Sequence, residues 1–465
     1  MRSTITMHMN NKSRILRILH VMLISIFFAA CTTLPENKRQ PPLKAPDQWQ
    51  GNYESTAIVD DWLKQLDDST LNEIVFDALK TNIQLAERVA EVNIARQDLV
   101  ISGAPRLPQL DAKLNASRSL ISNNAQQPRS SVGVSLDLSW EIDVWGKLRD
   151  TQKQASINLA AKETDLTTFQ QNLVADIALA WYDLIESQQL LNLFQQRLTN
   201  LQTNLEIIES GYRQGLNQAL DVYLTRTDVE QEQARVLEQS QRQATVARRL
   251  QLLLGQYPSG QWILNQTLPE LTQSVPAGIP SELLTRRPDL NAAWLNLLSA
   301  DLGVAIAHKQ RFPRLSLTSS LGYTTNDFNN ILDANHIVWS LIGNLVQPIF
   351  NSDALAAQEE KARINANKLE KTYLRLAYDA FSQVENTLAQ DVSLNKQYQH
   401  YRMAQEHGVT AESLSFKQYQ RGLVNYTTVL ESQRRSVDVQ TKLIQIKNER
   451  LKNRVKLLLA LGGDY

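Results

Sequence analysis

Cysteine is almost missing: Cys31 is the only one in 465 residues, which excludes a disulfide within the protomer and any cysteine-rich metal site. Charge of one sign is missing as well. Lys and Arg together number 48, as do Asp and Glu, so no net field would draw nucleic acid or an acidic membrane surface, and no nucleic-acid partner is expected. The marks of catalysis are also lacking. Six histidines are scattered, with His8 and His20 close to the start, and no HExxH, phosphate loop, GxSxG or cysteine pair occurs. An enzyme is therefore not expected, nor a metal or a diffusible cofactor. Between Leu148 and Ser210 there is neither proline nor glycine, which permits a single helix of roughly 95 Å at the usual rise.

What is present begins with a leader. Lys12, Arg14 and Arg17 precede an apolar run from Ile18 to Ala30, interrupted by His20 and too short for a comfortable membrane helix. It ends in Phe28-Ala29-Ala30-Cys31, which resembles a bacterial lipobox with Phe28 where an aliphatic residue is expected. Small residues before Cys31 and a polar, Pro-containing tract after it favour lipidation there, a covalent lipid being the one prosthetic group expected. Thr32, in place of an inner-membrane-retaining Asp, points to the outer membrane. From Thr32 to about Asn52 the chain is rich in Pro, Gln and Lys and reads as a tether.

A shift of about 207 positions superposes distant features. Pro105-Arg106-Leu107 falls over Pro313-Arg314-Leu315, Tyr212 with Gly215-Leu216 over Tyr419 with Gly422-Leu423, and Leu254-Gly255 over Leu461-Gly462. One order occurs twice: helix, strand, polar loop, strand, long helix, Gly-containing turn, long helix.

The strands show period-two alternation. Val132, Val134, Leu136, Leu138 and Trp140 lie on one face, against Ser131, Gly133, Ser135, Asp137 and Ser139. Leu110, Ala112, Leu114 and Ala116 alternate with Asp111, Lys113, Asn115 and Ser117. Leu315, Leu317, Leu321 and Tyr323 stand against Ser316, Thr318, Ser320 and Gly322, whereas 337–346 alternates poorly. Polar loops are expected at 120–130 and 324–336. A strand of about ten residues suits a tilted barrel crossing. A soluble sheet with one wet face would alternate equally well. Four strands cannot close a water-filled barrel, and lipid does not tolerate open edges, so a membrane sheet of this size must be shared among protomers.

The helices have a coiled-coil seam. Leu173, Ile177, Ala180, Leu184, Leu191, Phe194, Leu198, Leu201, Leu205 and Ile208 follow three-four spacing, with Ser187 at the skipped position. Val222, Val229 and Val236 recur at seven, as do Leu430, Val437, Ile444, Leu451 and Leu458. The helix from Leu355 to Phe416 is less cleanly patterned, with a break expected near His407-Gly408.

At LLTRRPDL, Leu283 to Leu290, and FPRLSLTSSLGY, Phe312 to Tyr323, the chain resembles the TolC-like outer-membrane factors, in their NodT-type lipoprotein branch. WEIDVWGKLRD, Trp140 to Asp150, and QPIF, Gln347 to Phe350, look like the family's strand-to-helix junctions. The resemblance spans nearly the whole mature chain. Trp294 departs from it, because the family usually has Glu there.

The resemblance implies a mainly α fold with membrane β: a trimeric α/β barrel, with four strands per protomer in a shared twelve-stranded outer-membrane barrel and coiled-coil helices forming a periplasmic tunnel. A mixed α/β belt would lie near Leu254 to Arg287 together with both termini. The implied layout is a signal peptide at 1–30, a lipid-anchored extended segment at 31–70, repeats at 71–255 and 282–462, and a connector at 256–281. The implied function is passive export of small molecules across the outer membrane, with a periplasmic adaptor and an inner-membrane transporter, most often of the resistance-nodulation-division class.

The implied adaptor contacts are Tyr212, Gly215, Leu216, Gly422 and Leu423, although both glycines also serve simply as helix-ending residues with positive φ. The family's gate carboxylates match Thr428 and Glu431, so only Glu431 keeps the charge, and Arg434 matches an arginine that takes part in closure in some members. Three Glu431 side chains around one axis would favour cations; an ordinary i,i+3 surface pair is the plain alternative. A lipid-anchored coiled-coil scaffold or adaptor without a pore is the rival function, and it leaves the alternating strands unexplained.

Overall fold

The computed structural model describes residues 43, 45–50, 61–119, 129–264, 266–271, 278–325 and 337–465. The leader, Cys31, most of the tether and the centres of both polar loops lie outside them. The chain divides into two units, Met1–Leu43 and Lys44–Tyr465, and every element below belongs to the second.

Two short helices, α1 (Ser69–Thr81) and α2 (Ile83–Gly103), are each started by a side chain that satisfies a free N–H: Asp68 accepts from Leu71 N at 3.0 Å and Asn82 from Leu85 N at 2.8 Å. Strands β1 (Gln109–Ser119) and β2 (Arg129–Ile142) follow, then α3 (Lys147–Arg213) and α4 (Ala219–Leu253). After the connector come one helical turn at Leu283–Arg286, α5 (Pro288–Lys309), β3 (Arg314–Thr325), β4 (Ile337–Val346), α6 (Ala354–Gln420) and α7 (Tyr426–Ala460). The doubling is metrical: α3 and α6 each have 67 residues, α4 and α7 each 35.

The strands form one antiparallel sheet in the order β1-β2-β3-β4, so the two halves of the chain meet at β2 and β3. The register lines up apolar rows across it: Leu114, Val134, Tyr323 and Ile337 in one, Ala112, Leu136, Leu321 and Trp339 in the next. Leu114, Leu136, Leu321 and Trp339 are all exposed. The opposite face is polar and internally bonded, with Asp137 accepting from Ser320 Oγ at 2.6 Å and pairing with Lys113 Nζ at 3.0 Å. β1 and β4 are the two edges.

The polar loops are shorter than expected, because β2 begins at Arg129 and β3 runs to Thr325. The poor alternation of β4 has a structural origin. Ile337, Trp339, Leu341 and Leu345 fall on the apolar face, and Val338, Ile342 and Val346 on the other, so this edge strand is apolar on both sides.

The expected break near His407-Gly408 does not occur, and α6 runs through it. A Cβ on Gly408 would stand 3.0 Å from Val439 Cγ2 and 3.4 Å from Ser436 Cα, so the glycine lets α7 approach rather than ending α6. In α3 the seam is buried at Leu173, Ile177, Ala180, Leu184, Leu191, Phe194, Leu201 and Ile208. At the skipped position the Ser187 hydroxyl turns back to Leu184 O at 2.9 Å, while its carbonyl accepts from buried Gln239 of α4 at 2.9 Å.

The largest core lies around the middle of α3. Trp181, Tyr182, Leu184 and Ile185 pack with Trp62, Leu71 and Val75 from the N-terminal side and with Leu451, Val455 and Leu458 of α7. The C-terminus also reaches this core, Trp62 N donating to Asp464 O at 3.1 Å. The connector, expected to be part of a mixed α/β belt, contains no strand among the described residues. Its backbone bonds to a side chain instead: Gly260 N donates to Gln251 Oε1 at 2.9 Å, and Gln251 Nε2 donates to Gln261 O at 3.1 Å.

Candidate functional site at the helical tips

Each long hairpin reverses through the same motif. Leu216 N bonds to Gly211 O at 2.8 Å and Gly215 N to Tyr212 O at 3.0 Å; Leu423 N bonds to Gln418 O at 3.0 Å and Gly422 N to Tyr419 O at 2.8 Å. This is the six-to-one closure of a helix C-terminus, which requires a left-handed residue. Gly215 has φ 74° and Gly422 φ 70°, with nothing near either to obstruct a side chain, so backbone conformation alone selects glycine.

The two turns lie together. Tyr419 OH donates to Asn217 Oδ1 at 3.0 Å, Asn217 Nδ2 donates to Ile208 O at 3.1 Å, and the rings of Tyr419 and Tyr426 sit 5.2 Å apart. Ile208, Val222, Tyr426 and Val429 form a small core between the hairpins. Burial pushes the Tyr426 hydroxyl up to about 12. Tyr212 stays exposed, as do Leu216 and Leu423.

The gate candidates lie just along α7. Thr428 is exposed, one turn before Glu431. Glu431 accepts from Arg434 Nη2 at 2.7 Å and from Arg435 Nε at 2.6 Å. Hydrogen bonds from Arg434 and Arg435 hold the Glu431 carboxyl below its ordinary range. Sequence reading found Arg434 and missed Arg435, although the i,i+4 spacing from Glu431 was the signal for it. One carboxylate against two guanidiniums leaves the cluster with a charge of +1 (2 − 1), so it does not by itself make the cation-favouring ring expected for Glu431 alone.

The resemblance-bearing segments serve as joints. Asp143 accepts from Leu148 N at 3.0 Å and Arg149 N at 2.8 Å, starting α3 directly below the sheet. Trp145 Nε1 donates to Pro313 O at 2.7 Å, and Lys309 Nζ pairs with Asp150 at 2.5 Å, so the junction ties one repeat to the other. In LLTRRPDL, Leu283 is fully buried with Trp49, Val384 and Leu457, while Arg287 pairs with Asp289 at 2.7 Å and donates to Gln383 and to Ala460 O. Trp294 packs against Tyr373 with the rings tilted by 58° and their centroids 5.5 Å apart. Among the described residues no cluster of His, Cys, Asp and Glu is arranged to hold a metal.

An amphipathic sheet with open edges, carried on helices of this length, defines the protomer of a membrane channel. The chain belongs to the outer membrane efflux protein family, whose profile matches residues 75–256 and 279–463. That family is one of efflux channels rather than of enzymes. The chain is 28% identical over 459 residues to the solvent efflux pump outer membrane protein SrpC of Pseudomonas putida, covering 96% of this chain and 97% of that one. It is 26% identical over 459 residues to the cation efflux system protein CusC of Escherichia coli, covering 95% and 98%. A solved structure of CusC superposes with a TM-score of 0.83 at 25% identity, covering 93% of this chain and all of that one.

Proposed function

We propose that three copies of this chain close one twelve-stranded barrel and act as the passive exit duct of an efflux system, working with a periplasmic adaptor and an inner-membrane transporter of the resistance-nodulation-division class. One observation carries this: a four-stranded sheet exposes an apolar face while both its edges remain open. Neither water nor lipid suits that arrangement, and edge-to-edge pairing of copies removes the conflict.

The Cys31 lipid anchors the N-terminus to the outer membrane, a role supported by the residues around it. The repeats at 71–255 and 282–462 form two similar walls of the duct, supported by a family match that falls into two segments. Tyr212, Leu216 and Leu423 offer exposed apolar surface to the adaptor, on turns made by Gly215 and Gly422. Glu431, Arg434 and Arg435, with Thr428 beside them, line the narrow periplasmic end. The relatives' names cover solvents and cations, so cargo is set by the pump that feeds the duct.

The test is electrophoresis of outer-membrane fractions with and without heating. Trimers that collapse to monomers on boiling are expected, and Leu114→Asp, which places a charge on the lipid face, should deplete them. A chain that is monomeric under all conditions would overturn the assignment.

A further inference from the structure

Between the helices lies a partly open cavity of about 400 Å³. On α7, Lys447 reaches Glu270 of the connector at 2.7 Å, and Lys442, Gln445, Glu449 and Lys452 line the cavity from the other side of the same helix. At its floor the two protons of a single amide serve two acids: Asn448 Nδ2 donates to Asp183 Oδ1 at 2.8 Å and to Glu186 Oε2. Asn448 is fully buried and Glu186 only 8% exposed.

The two acids are not equally compensated. Lys452 Nζ lies 3.0 Å from Asp183, whereas Glu186 has no cation within ion-pair distance among the described residues. Glu232, an equally buried acid on α4, has Arg197 at 3.3 Å. The groups facing Glu186 are Asp183 on its own helix, Arg242 on α4, Tyr401 on α6, and Lys442, Glu449 and Lys452 on α7. Arg242 and Lys442 are exposed, so water weakens their hold on a buried charge.

We propose that the Asp183–Asn448–Glu186 bridge is a proton-operated latch between α3 and α7, the joint between the first repeat and the last helix. With a proton on Glu186, one anion and one neutral acid share the amide and the joint closes. When Glu186 ionises, two anions share the one amide with only Lys452 paired to either of them, and the joint loosens. Burial pushes the Glu186 carboxyl upward and Asp183 adds to it, outweighing the opposing pull of the Asn448 hydrogen bond and of the Arg242 and Lys452 charges. An acid raised in the folded state binds more protons there than when unfolded, so its contribution to stability declines as pH rises through the folded value.

The experiment is thermal unfolding of the full-length protein in detergent across a pH series, from acidic to alkaline, that carries a raised carboxyl from its protonated to its ionised form. Glu186→Gln keeps the shape and the acceptor. It should melt above the natural protein at the alkaline end, match it at the acidic end, and flatten the difference between the two. Asn448→Asp adds a third carboxylate and should widen that difference. The latch is overturned if Glu186→Gln melts below the natural protein at the alkaline end, or if the pH profiles of all three run parallel. Melting is read without any current, so failure here leaves the duct untouched, and failure of the duct leaves the latch testable.

Discussion

The two hairpin tips share a turn motif and a helix length, yet use them differently. At corresponding positions Tyr212 points to solvent while Tyr419 turns inward and bonds to Asn217. Exposed Ala219 in the first hairpin matches buried Tyr426 in the second. The first hairpin presents Leu216, Leu220 and Tyr223 as an apolar surface, and the second presents Glu431 with its two arginines. A duplicated unit has thus diverged into a more apolar tip and a charged one, and a few large side chains decide which is which.

Breaking the shared core should show this most strongly. Tyr426→Ala removes the ring that holds the hairpins together and should cost about 3–5 kcal/mol by analogy with other buried aromatics, measured by thermal unfolding and by early protease cleavage at the turns. Tyr212→Ala should do neither. Next come the glycines: Gly215→Ala and Gly422→Ala should each cost about 1–2 kcal/mol for left-handed backbone, and equally, because neither site is crowded. Tyr419→Phe should cost about 1 kcal/mol for one hydrogen bond, against none for Tyr212→Phe. Glu431→Ala should leave folding unchanged and move ion selectivity in a planar bilayer toward anions, because both arginines lose their carboxylate.

The tip and the middle of the helical bundle also answer pH with opposite sign. Glu431 is lowered by its arginines, so what it contributes is present at neutral pH and lost as pH falls through its depressed value. Glu186 is raised, and its contribution is lost as pH rises.

Helix lengths, turns and strand faces were legible because each depends on local pattern: an absence of Pro and Gly, a left-handed glycine, period-two alternation. Three features were not. β4 hides its alternation because an edge strand here is apolar on both faces. Gly408 looks like a break because sequence does not show the helix pressed against it. The connector replaces a strand ladder with one buried glutamine, Gln251. Of the candidate site, the turns, Glu431 and, from its i,i+4 spacing, Arg435 were readable, whereas the inward turn of Tyr419 depends on which helix lies opposite, as does the Glu186 bridge away from the tips.

The most direct test is conductance of the purified full-length protein in a planar bilayer. A trimeric duct predicts discrete single-channel currents from heat-modifiable trimers and none from boiled monomers. Intact trimers that carry no current under conditions that open the periplasmic end would contradict it.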